Sequence, residues 1–157
     1  MRTILICGTR NYYPLEFANN LMTSVINNYI GEDDLVIHGG ALGIDTLANS
    51  LLIRSGHFNI EVIKPNYEKY GKIAPLKRDE VMVSKADWVL AFWNGTSSGT
   101  RYTILNALEN NKKVAIFPLG FIDYKSFASL QLNMMHEADL KTEIRKRGYT
   151  ILKEVKD

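Results

Sequence analysis

Five short, continuous apolar runs punctuate the first three quarters of the chain: Thr3-Ile4-Leu5-Ile6-Cys7, Leu35-Val36-Ile37-His38, Ile60-Glu61-Val62-Ile63, Trp88-Val89-Leu90-Ala91-Phe92 and Val114-Ala115-Ile116-Phe117. Each is of strand length, and most show no alternation of apolar with polar residues. That pattern belongs to strands buried on both faces. Glycine or proline ends every run, at Gly8, Gly39-Gly40, Pro65, Gly95 and Pro118. The segments between them carry helical spacing. After Pro14, an expected early helix residue, Phe17, Leu21, Val25 and Ile26 fall on one stripe, closed by Gly31. Leu47, Leu51 and Leu52 form another, with Gly56 as the expected C-terminal cap. Residues 66–75 read as a loop, 76–84 as a helix, and Ile104, Leu105 and Leu108 mark a further helix from about Thr100. Strands alternating with helices predict an α/β fold, a Rossmann-like open, mostly parallel sheet of about five strands with helices on both faces.

Beyond the fifth strand, 124–135 and 138–147 read as helices, the second charged and amphipathic, and 149–152 as an added edge strand. With 157 residues and no linker or repeat, one domain is expected over 1–157, its core over about 3–118 and an extension over 119–157. Met1-Arg2 leads directly into a strand-length run, which is not the pattern of a signal peptide, and no run is long enough to span a membrane. The single cysteine excludes an intramolecular disulfide framework. A cytoplasmic protein without membrane contact is expected. The net charge of +2 is too small to argue for nucleic acid, which is not expected as a partner.

Right-handed crossovers bring all the strand-to-helix loops to one sheet edge. Three of these loops share a chemistry. The first, Gly8-Thr9-Arg10, offers a close backbone, a hydroxyl and a bidentate cation suited to phosphate or carboxylate. The second carries Gly39, Gly40, Gly43 and Asp45. Its spacing is neither the dinucleotide fingerprint nor a Walker loop, and Asp45 suits either ribose hydroxyls or the loop's own N–H groups. The third, Trp93-Asn94-Gly95-Thr96-Ser97-Ser98-Gly99-Thr100, opens a helix, whose N-terminal amides suit phosphate. Trp93 either packs under the sheet or stacks on a base, and Tyr12 and Tyr13 face the same choice. His38 and Cys7 read as core-edge and buried strand residues.

Together these pieces resemble the SLOG superfamily of Rossmann-like proteins, which includes cytokinin-activating phosphoribohydrolases (lysine-decarboxylase-like proteins) and DNA-processing protein A, and within it the group typified by the DUF2493 domain. The resemblance rests on Gly8-Thr9-Arg10, His38 to Asp45, Tyr70-Gly71-Lys72, Arg78 with Met82, Ala86-Asp87, and Phe92 to Gly95 leading to Ser98-Gly99-Thr100. It spans about residues 3–118. It implies a nucleotide site in which Arg78 joins Arg10 as a cation. The phosphoribohydrolases carry P-G-G-x-G-T-x-x-E after the fourth strand. Here the proline is absent and the glutamate position is Thr103, which cannot stabilise an oxocarbenium ion as a carboxylate does.

The chain is therefore read as a binding protein rather than an enzyme: a sensor or sequestering protein for a nucleotide or ADP-ribose-like ligand. Its expected ligand residues are Gly8, Thr9, Arg10, Gly39, Gly40, Gly43, Asp45, Arg78, Trp93, Gly95, Thr96, Ser97, Ser98, Gly99 and Thr100. No cofactor or metal is expected. The resemblance also implies a homo-oligomer, with Phe121 to Met135 offering apolar surface. The alternatives are a nucleotide N-glycosidase drawing its carboxylate from Asp45 or Asp79, and a DNA-processing module.

Overall fold

The computed structural model describes residues 1–12, 15–119 and 150–151. Pro14, Tyr13, the helices expected over 124–135 and 138–147 and the apolar surface expected from Phe121 to Met135 lie outside them. Among the described residues six strands form one sheet: β1 (Thr3–Gly8), β2 (Leu35–His38), β3 (Ile60–Val62), β4 (Trp88–Trp93), β5 (Lys113–Pro118) and β6 (Thr150–Ile151). Their order is β3-β2-β1-β4-β5-β6, and every pairing is parallel. The chain winds outward from β1 in both directions, so strand order reverses between β1 and β4. There the crossovers leave on opposite faces and a crevice opens beyond the strands' carboxyl ends.

The continuous apolar runs are explained by two cores, one on each face. Ile4, Ile6, Val36, Leu90, Phe92, Ala115 and Phe117 pack against α1 (Leu15–Tyr29) and α2 (Ile44–Arg54). Their strand neighbours Leu5, Cys7, Ile37, Val89, Ala91, Trp93, Val114 and Ile116 pack against α4 (Ala74–Lys85) and α5 (Ser98–Glu109). Side chains of a strand alternate between faces, so a strand covered by helices on both sides needs apolar residues at every position. Phe92 stacks on Phe117 at 4.9 Å between ring centroids, closing the first core below the crevice.

Residues 66–75 depart from the expected loop. Asn66 caps a one-turn helix, α3 (Tyr67–Tyr70), its side chain accepting from Lys69 N at 2.9 Å. A 3-10 turn over Gly71–Ile73 follows, and α4 begins at Ala74, two residues earlier than expected. Pro75 sits in the first turn of α4, where a missing N–H removes no helical hydrogen bond. The fourth helix therefore reaches further toward the crevice. Gly56 follows the end of α2 with φ +86°, the left-handed conformation that suits glycine. Among the described residues no helix is long and apolar enough to cross a membrane.

Candidate functional site

The crevice is lined from β1 by Gly8, Thr9 and Arg10. A Cβ on Gly8 would lie 2.6 Å from Phe92 O and 2.7 Å from the Ile44 side chain, so only glycine fits where β1 passes between β4 and α2. Thr9 then ties the two strand ends together. Its N–H donates to Phe92 O (3.0 Å), its hydroxyl donates to the same oxygen (3.3 Å), and Asn94 N donates to that hydroxyl (3.1 Å). Thr9 is buried. Arg10, one residue on, is exposed at the mouth and has no ion-pair partner among the described residues.

Gly39, Gly40 and Gly43 do not line the cavity, and the amides of Gly39 and Gly40 are spent within the loop, which corrects their expected role as a phosphate cradle. Gly39 N and Ala41 N both donate to Asp45 Oδ2, at 3.0 and 3.1 Å. Gly40 N donates to His38 Nδ1 at 3.1 Å. With Nδ1 accepting, the His38 proton sits on Nε2, which donates to Asn49 Oδ1 at 3.1 Å. Gly40 and Gly43 have φ of +66° and +90°, and Gly43 lies against the carbonyls of Thr9 and Arg10. These glycines allow a close turn in which the Gly39, Gly40 and Ala41 amides are satisfied by Asp45 and His38. Asp45 is accordingly the loop's acceptor, although it also lines the cavity; its burial raises its pKa, against the pull of the two amides and Arg78.

The loop after β4 is organised by its own side chains. Asn94 Oδ1 accepts from Thr96 N (3.0 Å) and Ser97 N (2.9 Å), with Gly95 at φ +82° between them. Ser97 caps α5: its hydroxyl lies 3.1 Å from Thr100 Oγ1 and accepts from Thr100 N at 3.4 Å. The amides of Ser98 and Gly99, first in the helix, have no acceptor within it. Both residues are exposed, both line the cavity, and a Cβ on Gly99 would meet nothing within 4 Å. Thr96, Ser97 and Thr100 line it too, whereas Gly95 does not. Trp93 is fully buried, in the core beneath α5, with Nε1 donating to Ser97 O at 3.1 Å. It packs under the loop and supplies no face for a base, which corrects its place among the expected ligand residues.

The opposite wall comes from α4. Arg78 donates from Nη1 to Gly39 O (3.1 Å) and from Nε to Asp79 Oδ1 (3.0 Å), while Nη2 lies 2.9 Å from the same oxygen. Its guanidinium covers Gly39 so closely that a Cβ there would sit 2.7 Å from Cζ. The cation is thus already matched by a carboxylate. Burial raises the pKa of Asp79, opposed by Arg78, Thr103 and Arg10. Thr103, where the resemblance sets a glutamate, is buried beside Asp79 with its hydroxyl donating to Gly99 O at 3.2 Å. Cys7 also borders the cavity, but burial holds its thiol well above the usual range, so it is not a ready nucleophile. Asp79, Asn94 and Thr103 were absent from the expected ligand set. Asp79 was named only as an alternative catalytic carboxylate, Asn94 only as part of the loop after β4, and Thr103 only as the glutamate-aligned position.

The resulting cavity has a volume of about 560 Å³, within the range of small-ligand sites. Its lining includes Arg10, Thr96, Ser97 and the first residues of α5 together with Asp79, Met82, Pro75 and Leu76. Among the described residues there is no group of three or more His, Cys, Asp or Glu side chains placed to hold a metal ion.

No family model matches the sequence, and no curated protein matches it. Solved structures do match its shape. DNA processing protein A from Helicobacter pylori superposes with a TM-score of 0.64 at 15% identity, over 92% of this chain and 81% of that one. The fold is similar to that of DNA processing protein A. The Streptococcus pneumoniae protein of that name gives a TM-score of 0.65 at 15% identity, over 90% of this chain and 61% of that one. TM1055 gives 0.60 at 20% identity, over 89% of each chain. The Helicobacter protein binds single-stranded DNA. That finding corrects the expectation that nucleic acid is not a partner for a chain like this. Net charge sums over the whole surface, whereas binding depends on local charge. Exposed Lys64, Lys69 and Lys72 follow β3 within nine residues, alongside exposed Tyr67 and Tyr70.

Proposed function

We propose that the cavity between β1 and β4 binds the phosphate-bearing part of a nucleotide or an ADP-ribose-like ligand, and that the protein acts as a sensor or sequestering protein for it. The observation that carries this reading is the pair of open amides, Ser98 and Gly99, at the first turn of α5, in a cavity shared with Arg10, which has no ion-pair partner among the described residues. Helix N-terminal N–H groups and a partial positive charge favour an anion there, and a guanidinium adds a bidentate donor. With Thr103 where a catalytic carboxylate would stand, binding is favoured over cleavage.

Isothermal titration with nucleoside mono- and diphosphates and ADP-ribose tests the proposal. Arg10→Ala is expected to weaken the best ligand about tenfold, equivalent to ~1.4 kcal/mol. No binding by any member of the panel refutes it, and release of free base would replace binding with hydrolysis.

A second reading is supported by the likeness to DNA processing protein A and by the lysines and tyrosines after β3. Single-strand binding combines a basic track with aromatic faces on which bases stack. Lys69 Nζ lies 5.0 Å from the centre of the Tyr70 ring, leaving Tyr67, 59% exposed, as the more available platform. Fluorescence anisotropy with a labelled oligodeoxynucleotide tests this reading. Saturable, salt-dependent binding that Tyr67→Ala and Lys72→Ala both weaken supports it; binding that neither change affects rejects it.

A further inference from the structure

We propose that Asp79 recognises the ribose hydroxyls of the ligand, making the site selective for ribonucleotides over their deoxy counterparts. This rests on the nucleotide reading above and specifies the class of nucleotide.

A carboxylate in an anion-binding cavity needs an explanation, because it repels the phosphate that the rest of the cavity attracts. Asp79 lines that cavity, and its side chain is only 8% exposed. Both contacts from Arg78 fall on one oxygen, Oδ1, which leaves Oδ2 outside the ion pair. An ionised carboxylate accepts and does not donate, so the ligand group opposite it must carry donors. Asp45, the other cavity carboxylate, is not equivalent, because its Oδ2 already accepts two backbone N–H bonds.

Position along α5 selects which donors are met. Thr103 lies beside Asp79 and bonds back to Gly99 O, one helical turn from the open amides of Ser98 and Gly99. Four residues of helix rise by about 6 Å. A 5′-phosphate seated on those amides therefore brings the 2′- and 3′-hydroxyls of its own sugar, rather than the more distant base, opposite Asp79. Pro75, Leu76 and Met82 also line the cavity and offer packing but no competing side-chain donor.

Titrations of the intact protein with AMP, GMP, CMP and UMP, each beside its 2′-deoxy and 2′,3′-dideoxy form, test the inference. Inorganic phosphate serves as a control for the anion end. Wild type is expected to bind the preferred ribonucleotide at least tenfold more tightly than its dideoxy form. Asp79→Asn, which keeps the shape and removes the charge, is expected to shrink that ratio to about two, with the dideoxy form bound at least as tightly as by wild type because the repulsion of its phosphate is gone. Equal binding of ribo and dideoxy forms by wild type overturns the inference and leaves the nucleotide reading standing. A ratio that persists in Asp79→Asn also overturns it. Binding of neither nucleotides nor phosphate removes both. If the variant does not fold, the wild-type ratio decides alone.

Discussion

Replacing Arg78 by alanine is expected to damage the fold before it damages any ligand site, because the residue is committed to the protein itself. Its guanidinium meets Asp79 Oδ1 at 2.9 and 3.0 Å and Gly39 O at 3.1 Å, and the two side chains are 12% and 8% exposed. Breaking a buried pair by removing one member costs ~3–5 kcal/mol, much of it from the charge left behind. Thr103 and the open cavity still serve the orphaned carboxylate, so the lower bound, about 3 kcal/mol, is the appropriate magnitude. For a chain of this length each kcal/mol moves Tm by ~2–4 °C, giving a fall of roughly 6–12 °C.

The diagnostic is the double variant. Arg78→Ala with Asp79→Asn no longer buries an unpaired charge and should recover at least ~1 kcal/mol, so the two changes are non-additive. The pH dependence follows from the same cause. Burial raises the folded-state pKa of Asp79 above its unfolded value, so its protonated form favours folding and that contribution is lost as pH rises. Without Arg78 the shift grows, and the Arg78→Ala penalty should shrink on acidification through the carboxylate range. Urea unfolding followed by circular dichroism at neutral and mildly acidic pH measures all four proteins. Additive losses, or a penalty independent of pH, would refute the reasoning.

Two further outcomes concern the sheet's other end and its outer face. Arg2 Nη2 lies 2.6 Å from Asp34 Oδ2, and its hydrogen bonds, with that of Gly31 N, lower the Asp34 pKa from 3.8 to about 2. Stability should therefore drop by up to ~2 kcal/mol as pH falls from about 4 to about 2, less what solvent takes from the half-exposed Arg2, and Asp34→Asn should abolish that drop in acid titrations. Tyr102 donates to Glu80 Oε1 at 2.7 Å, which, with partial burial, raises its phenol to about 12. Ultraviolet difference titration should find a tyrosine ionising at about 12, and Glu80→Gln should return it toward 10.

Much of the architecture was legible because strands buried on both faces leave little freedom in composition. Leu5 and Ile6 face opposite helices, and both must be apolar. The short helix at Tyr67–Tyr70 was not legible, because it depends on a single cap, Asn66, and buries nothing. At the site, the hydroxyl-rich loop after β4 showed its chemistry, since Ser97 precedes a helix start and has the right side chain to cap it. The glycines at 39, 40 and 43 misled for a physical reason. A glycine signals a close backbone approach but not what approaches, and here it is Arg78 at Gly39, the Val62 side chain at Gly40 and the chain's own carbonyls at Gly43. Trp93 has a similar ambiguity, since an indole suits a base or a core equally until its N–H finds Ser97 O. Asp79 was legible only as an alternative carboxylate; its pairing with Thr103, 24 positions away, was hidden because only the packing of α4 against α5 joins them.

The single hydroxyl of Thr9 gives the site its mechanical character. Because that one atom links the ends of both central strands, the cavity floor takes its shape when the chain folds and not when a ligand arrives. Little ordering entropy is then charged against association. Discrimination among guests falls to the side chains standing on that rigid floor, and two or three exchanges there would retune the pocket without touching the framework beneath it.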